Sequence, residues 1–328
     1  MRFLAVVRAL GRALLLYLCV LTLTFTLLRL APGDAATFLV PPGASASDAA
    51  RMRSDLGLDR STAVQYARWL RGSLGGQFGT SFTARRPVRA LIGEALPVSA
   101  ALGGLSLLLS FVVGTAAGLL QAARRGARTD IVLTVASVVL VASPAYWLGL
   151  GAIACFTYLA SSWNLPLIIR LPAIGMSTPG ASLHGMLRLL DYARHAILPV
   201  TLLAAIGAGG VARYVRIGAL DAMRADWVRT ARAKGASEWL VFGRHLAGNL
   251  RAPLLTLFAL ALPGTVAGSV FVETIFAWPG MGRLMVSAIV GRDYPVVMGC
   301  AAAFAALVIV ANLLAEALLP WADPRVRA

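Results

Sequence analysis

The chain contains a single lysine, Lys234, and that scarcity removes a class of chemistry at once. A phosphate-binding P-loop requires G-x-x-x-x-G-K-[ST], with the lysine reaching the phosphates from a glycine-rich cradle. Lys234 stands between Ala233 and Gly235, outside any such pattern, so this chain has no nucleotide loop of its own. Neither G-x-S-x-G nor H-E-x-x-H occurs, and the histidines His184, His195 and His245 are scattered among Leu, Ala and Gly. Cysteine is nearly as scarce: Cys19, Cys155 and Cys300 lie singly in apolar runs without C-x-x-C spacing, which reads as small buried residues rather than a metal or redox centre. Charge is sparse too. Only 13% of the 328 residues are charged and 59% are hydrophobic, a balance that excludes an ordinary soluble domain and indicates a polytopic membrane protein.

The charge that is present is strongly one-sided, with a formal net charge of +16 carried almost entirely by arginine. Nucleic-acid binding would require a contiguous basic face. Here the arginines sit between long apolar segments, as topology determinants and lipid-headgroup contacts do, so nucleic acid is excluded as a partner and membrane lipid is expected. Crossing hydrocarbon as a helix takes about 20 residues at about 1.5 Å each. Six segments meet that demand, approximately 13–30, 98–121, 131–160, 196–212, 252–272 and 296–320. The first, preceded by Arg2, Arg8 and Arg12, resembles a signal peptide in its flanks but continues past Arg29 without a small-residue cleavage site, and reads as an uncleaved span.

The third segment is ambiguous, because no charge appears from Ile131 to Ile169 and two crossings would fit its length. Orientation favours one. With six crossings and an internal N-terminus, 16 basic residues fall in the short cytoplasmic segments, eight of them between Arg213 and Arg251, against 13 in external segments about twice as long in total. Both termini are then cytoplasmic. Asn164, Pro166 and Pro172 fall in an irregular external segment after the third helix. The external stretch between the first two spans is long enough for structure of its own: Ser47 suits the cap of a short helix through Asp48, Met52 and Asp55. A second helix, near Val64–Leu70, is closed by the glycines at 72, 75, 76 and 79. It is expected to form a small cap on the outer mouth.

Helices in lipid associate by close approach at small residues. Gly114 and Gly118 form a G-x-x-x-G in the second span, read as packing within the chain; Gly264 and Gly268 form another in the fifth, and Gly207, Gly209 and Gly210 thin one side of the fourth. Pro144 and Pro263 offer bends inside spans. No carboxylate is expected near the middle of a span; Glu316 and Arg29 lie close to span ends, within reach of an interface. A proton-driven secondary carrier is therefore the alternative rather than the leading reading.

The segment from Arg213 to Arg251 is patterned as two short helices joined by a bend. Residues 226–233 suit a helix, Lys234 complements its C-terminal dipole, Gly235 suits a left-handed stop, and Ser237 suits the cap of a following helix with Glu238 in its first turn. Ala231 and Gly235, four apart and both small, leave a low patch on which another protein can seat.

This is where a family resemblance becomes specific. DWVRTARAKGAS at Asp226–Ser237 strongly resembles the cytoplasmic loop of ABC importer permeases of the dipeptide, oligopeptide and nickel family. RLAPGD at Arg29–Asp34, LGLDRS with VQYARWL within Leu56–Leu70, SPAYWLG at Ser143–Gly149, HAILP at His195–Pro199, VETIFAWPGMGRL at Val272–Leu284, GRDYPVV at Gly291–Val297 and DPRVR at Asp323–Arg327 look like the same family, in its order, over nearly the whole chain. The resemblance implies an all-α polytopic fold with a type I importer core: residues 1–94 as a first helix and external segment, 95–320 as the permease domain with its coupling loop at about 213–251, and 321–328 as a tail. It implies a bacterial inner-membrane location, a second homologous permease subunit, two ATPase subunits and an external solute-binding protein. No cofactor is expected in this chain, with ATP and magnesium held by the partner ATPase, and no catalytic residue. The loop residues Arg229, Thr230, Ala231, Ala233, Lys234 and Gly235 are implied to seat in the ATPase, and Trp278, Pro279 and Gly280 are expected at an outer gate. Gly248 before Asn249 departs from many relatives, which carry Pro or Arg there.

Overall fold

The computed structural model describes residues 2–30, 47, 50, 51, 54, 59–235 and 247–322. They form helices α1 (Arg2–Leu30), α2 (Thr62–Leu74), α3 (Val88–Ala123), α4 (Arg128–Ala142), α5 (Ala145–Ile153), α6 (Gly185–Ala222), α7 (Asp226–Ala233), α8 (Ala247–Gly268), α9 (Val270–Ile275), α10 (Met281–Val290) and α11 (Tyr294–Ala322). Helix α5 continues through a π-helical stretch, Ala154–Leu159, to Ser162. The chain divides into two compact units, residues 1–99 with 279–310, and residues 100–278 with 311–328.

In the first unit, α2 is the helix expected near Val64–Leu70, ending at Gly75. It is fixed to α1 by aromatic contacts: Phe25 meets Tyr66 edge-on with ring centroids 5.3 Å apart and stacks on Trp69 at 5.7 Å, while Thr22 and Tyr66 share a hydroxyl–hydroxyl hydrogen bond of 2.6 Å. The earlier helix expected from Ser47 lies mostly outside the described residues. The unit's core joins Val88, Ile92 and Ala95 of α3 to Met281 and Ala288 of α10 and to Val296, Val297 and Cys300 of α11. Two buried polar contacts set the register of these elements. The Met281 backbone N–H, in the first turn of α10, donates to Ser99 Oγ of α3 at 2.8 Å, satisfying a donor that no preceding turn can reach. Asp293, 2% exposed, accepts from Ser81 Oγ at 2.6 Å and from the backbone N–H groups of Phe82 and Thr83 at 3.1 and 3.0 Å.

The second unit answers the question that hydropathy leaves open. A Cβ built on Gly114 would stand 2.6 Å from Val211, one on Gly118 2.7 Å from Val215, and one on Gly207 2.9 Å from Ser110. All three pairs, 110 with 207, 114 with 211 and 118 with 215, are 97 positions apart, so α3 and α6 run parallel in fixed register. Between two parallel membrane helices the chain crosses an odd number of times. The intervening segment runs antiparallel to α6 along its whole length: Asp130 meets Arg216, Ser137 meets Gly209 and Gly149 meets Leu202. The apolar residues from Ile131 to Ser162 are thus one crossing, with Arg128–Asp130 ahead of it, broken at Ser143 and Pro144, whose backbones are extended (ψ 137° and 131°). Pro144 lacks the N–H that would continue α4, and the pre-proline position disfavours helix at Ser143.

Helix α8 returns antiparallel to α3, Thr265 facing Gly103 and Phe258 meeting Phe111 with centroids 5.1 Å apart. Its 22 residues rise about 33 Å, matching the hydrocarbon thickness. With α1, α3, the 131–162 crossing, α6 and α11 this makes six spans among the described residues, an all-α polytopic fold. Pro263 lies inside α8 without interrupting it, and Gly264 faces open space rather than a packed neighbour.

Candidate functional site

The segment singled out between Arg213 and Arg251 begins as the end of α6. Met223, Arg224 and Ala225 donate backbone N–H bonds to Ala219, Asp221 and Ala222, closing a tight turn from which α7 starts at Asp226, an acid well placed at a helix N-terminus. Helix α7 carries Arg229, Thr230, Ala231 and Ala233. Thr230 Oγ1 donates to the Asp226 carbonyl at 2.9 Å, and the Lys234 N–H donates to the Thr230 carbonyl at 3.1 Å as the helix ends. Gly235 follows at φ +80°, the left-handed stop expected from the sequence. Val228 is fully buried, whereas Thr230, Ala233, Lys234 and Gly235 are exposed. The described part of the segment is therefore anchored by one apolar side chain and presents its small and basic C-terminal end. Ser237 and Glu238 lie outside the described residues, and Gly248 and Asn249 fall in the first turn of α8.

Ten positions before α7, Arg216 makes a two-pronged ion pair with Asp130. Nε donates to Oδ1 at 2.8 Å and Nη2 to Oδ2 at 2.9 Å. The carboxylate also accepts from the Gly126 N–H at 3.0 Å, reaching back across the first turn of its own helix, and from Thr134 Oγ1 at 3.4 Å. Thr134 in turn accepts from Gln121 Nε2 at 3.0 Å. Asp130 is buried, with its side chain 5% exposed, while that of Arg216 is 28% exposed. The Arg216 hydrogen bond above all, then the Gly126 N–H, hold the Asp130 carboxyl at about 2, well below its ordinary value. One network so joins the ends of α3, α4 and α6, and brings the arginine-rich 124–128 turn to the same end of this unit as the start of α7. Sequence reasoning missed this pair because Asp130 and Arg216 lie 86 positions apart.

At Trp278 the chain leaves α9 through a Schellman-type turn. The Trp278 N–H donates to the Glu273 carbonyl at 2.8 Å and the Ala277 N–H to the Thr274 carbonyl at 3.3 Å, with Ala277 at φ +50°. The Phe276 carbonyl also accepts from the Gly175 N–H at 2.8 Å. Trp278 is only 6% exposed, and its Nε1 finds no hydrogen-bond acceptor. Pro279 is exposed and Gly280 is buried at the N-terminus of α10. Glu273, assigned by hydropathy to an external loop, is 0% exposed and accepts from Ser269 Oγ at 2.6 Å. Asp130, Glu273 and Asp293 are all buried, each engaged by specific donors, Asp130 in the first turn of α4 and Asp293 just ahead of α11. The partners Arg216 of Asp130 and Ser81–Thr83 of Asp293 come from far along the chain and carry no local sequence signal.

The segment 163–184 is irregular, as its asparagine and prolines suggested, and is fastened to the start of α6. Asp191 accepts from the Thr178 N–H and hydroxyl at 2.8 and 2.7 Å, and Arg194 donates to the carbonyls of Leu167 and Arg170 at 2.9 and 2.6 Å. Among the described residues no group of three or more His, Cys, Asp or Glu is placed to hold a metal ion.

Comparison with known proteins matches these features to one family. The model of binding-protein-dependent transport system inner membrane components covers residues 114–328, and the corresponding N-terminal model covers residues 1–103. The oligopeptide transport system permease protein AppB of Bacillus subtilis is 36% identical over 305 residues, 93% of each chain. A putative peptide transport system permease protein of Brucella abortus is 35% identical over 326 residues, 98% of each chain. The probable D,D-dipeptide transport system permease protein DdpB of Escherichia coli is 34% identical over 314 residues, 94% of this chain and 92% of its own. With a match over about two thirds of its length to the main family model, and relatives aligned almost end to end, this chain belongs to the family of binding-protein-dependent transport system inner membrane components.

Proposed function

We propose that the chain is the membrane-spanning permease subunit of an ATP-driven importer of di- or oligopeptides or a similar small solute. It pairs with a second homologous permease, two ATPase subunits that hold ATP and magnesium, and an external binding protein that delivers the cargo. The observation that carries this reading is α7 with its left-handed stop at Gly235: a short helix, anchored at Val228, that ends in an exposed basic and small surface. Arg229, Thr230, Ala231, Ala233, Lys234 and Gly235 are the residues that seat in the ATPase. The relatives' names supply the peptide cargo.

The proposed orientation places both termini in the cytoplasm. It is supported by the network at Asp130, which gathers the 124–128 arginines and the start of α7 at one end of their unit, where a short-loop basic bias belongs. Trp278, Pro279 and Gly280 are assigned to an outer gate, Trp278 as its packed pivot and Pro279 as its exposed tip. ATP-driven closure of the partner then favours one helix arrangement over the other through contacts that differ between the two.

The test is uptake of a labelled dipeptide by vesicles containing the complete complex with ATP supplied on the ATPase side, comparing wild type with Gly235→Arg. Loss of ATP-dependent uptake in an assembled variant supports the coupling assignment. Uptake that ignores both ATP and the substitution, but follows a proton gradient, replaces this reading with a secondary carrier.

A further inference from the structure

We infer that the Asp130–Arg216 pair is the positioning contact through which motion of the 213–235 segment is passed to α3, α4 and α6 together. The inference rests on the importer reading and adds the route by which the coupling segment acts. Any displacement of α7 enters the core through the 223–225 turn and the last turns of α6. Arg216 lies six residues before the end of that helix, about 9 Å along its axis. Among the described residues of α6 it is the first inward from the turn whose charged side chain hydrogen-bonds another helix.

A cap for α4 would not need an arginine. The Gly126 N–H and Thr134 hydroxyl already serve the Asp130 carboxylate, as an acid in a helix's first turn normally arranges. Adding a guanidinium fork desolvates part of a cation, and what it provides is direction: two parallel bonds fix the angle as well as the distance between α4 and α6. The link then extends through Thr134 to Gln121 on α3. Gln121 Oε1 is buried with no hydrogen-bond donor of its own. The network therefore holds a spare acceptor on the side chain that contacts Thr134, which lowers the cost of exchanging donors when the helices shift. The partly exposed guanidinium beside a sealed carboxylate fits a joint that must hold and still be reached from the coupling side.

The experiment uses the complete complex carrying Arg216→Lys, which keeps the charge but loses the fork, and Asp130→Asn as a second variant. Two quantities are read: peptide imported per ATP hydrolysed, and the change in hydrogen exchange of the 124–130 turn when the ATPase subunits bind. Wild type is expected to show protection of that turn on binding. In Arg216→Lys the response falls at least about tenfold and import per ATP falls in proportion, the scale set by losing one charged hydrogen bond. Variants that assemble, respond at the turn and import with the wild-type ratio overturn the inference and leave the pair a stability element. If wild type shows the exchange response but no ATP-driven import, the importer reading fails while the linkage stands. If wild type shows no response at the turn, the linkage fails whatever the import assay gives.

Discussion

A Cβ placed on Gly118 would stand 2.5 Å from the carbonyl oxygen of Ala212, so no side chain larger than hydrogen fits between α3 and α6 at that point. The glycine is held by a fixed backbone atom rather than by a side chain that can swing away. Gly118→Ala is expected to destabilise the protein by about 1–3 kcal/mol through forced separation of the helices. Gly210→Ala, which meets nothing within 4 Å, is the matched control and should be neutral or slightly stabilising. Thermal unfolding in detergent separates them; equal melting temperatures for both variants would sink the argument.

The carboxylate of Asp293 holds the 81–83 backbone from 210 or more positions away. Asp293→Ala leaves the Phe82 and Thr83 N–H groups and the Ser81 hydroxyl without an acceptor, a cost of about 2–4 kcal/mol in total. Arg85 and Arg86 are exposed on the same loop. Trypsin should therefore cut the variant after Arg85 faster than wild type, Arg86 being shielded by Pro87, with Ser81→Ala intermediate. Unchanged cleavage rates in all three would show that the loop is held by something else.

At Gly235, φ +80° sets an order of tolerance. Asparagine enters the left-handed region more readily than alanine, and a β-branched residue least of all. ATP-driven uptake should fall in the order Gly, Asn, Ala, Val, with the alanine variant about tenfold down for a strain of about 1–2 kcal/mol. A flat series would mean that the backbone turn is not used.

Ala277 occupies a left-handed position that its Cβ disfavours, and Trp278 buries an N–H without an acceptor. Ala277→Gly is expected to raise stability by a few tenths to about 1 kcal/mol, and Trp278→Phe to be tolerated because it removes the orphan donor. Trp278→Arg should abolish uptake, since the site is 6% exposed and offers no partner for a charge. Wild-type uptake by the arginine variant would remove Trp278 from the gate.

Acid tests the Asp130 pair separately. Asp130 lies ahead of the apolar run that begins at Ile131, and its carboxyl is held down to about 2 from 3.8. A depressed acid contributes stability that is fully present above the unfolded value and lost as pH falls through the folded one. The difference in stability between wild type and Asp130→Asn should be constant from about pH 5 to pH 8 and shrink below about pH 4. A difference that instead grew on acidification would contradict the assigned geometry.

Much of this was legible before any coordinates, for identifiable reasons. Membrane helices announce themselves by length and apolarity, and the stop at Gly235 follows from local turn chemistry that a dozen residues encode. The Gly114–Gly118 pair packs within the chain as its spacing suggests, whereas Gly264 has the same spacing and faces open space, because spacing says which residues share a face and not what lies opposite. The crossing number of 131–160 was undecidable from hydropathy, since a break at Pro144 does not reveal whether the chain turns back there. The register of Gly118 against Val215 does reveal it. The buried acids Asp130, Glu273 and Asp293 were invisible for a different reason: two of them are neutralised by donors folded in from far along the chain, and Glu273 sits in a motif whose hydropathy resembles a loop.

The register of α3 against α6 also limits how this protein can move. Close contacts recur at steps of four on both helices, Ser110, Gly114 and Gly118 against Gly207, Val211 and Val215, so the interface is a rack whose teeth are about 6 Å apart. A slide shorter than one tooth drives valine side chains into opposing backbone, and a slide of a full tooth would tear the Gln121–Thr134 bond that ties α3 to the Asp130–Arg216 network. The two helices are thus confined to travelling as a single rod. Relative motion in their unit falls instead to the unlaced places, first among them the Ser143–Pro144 break, where the neighbouring crossing has no continuous backbone ladder to resist bending.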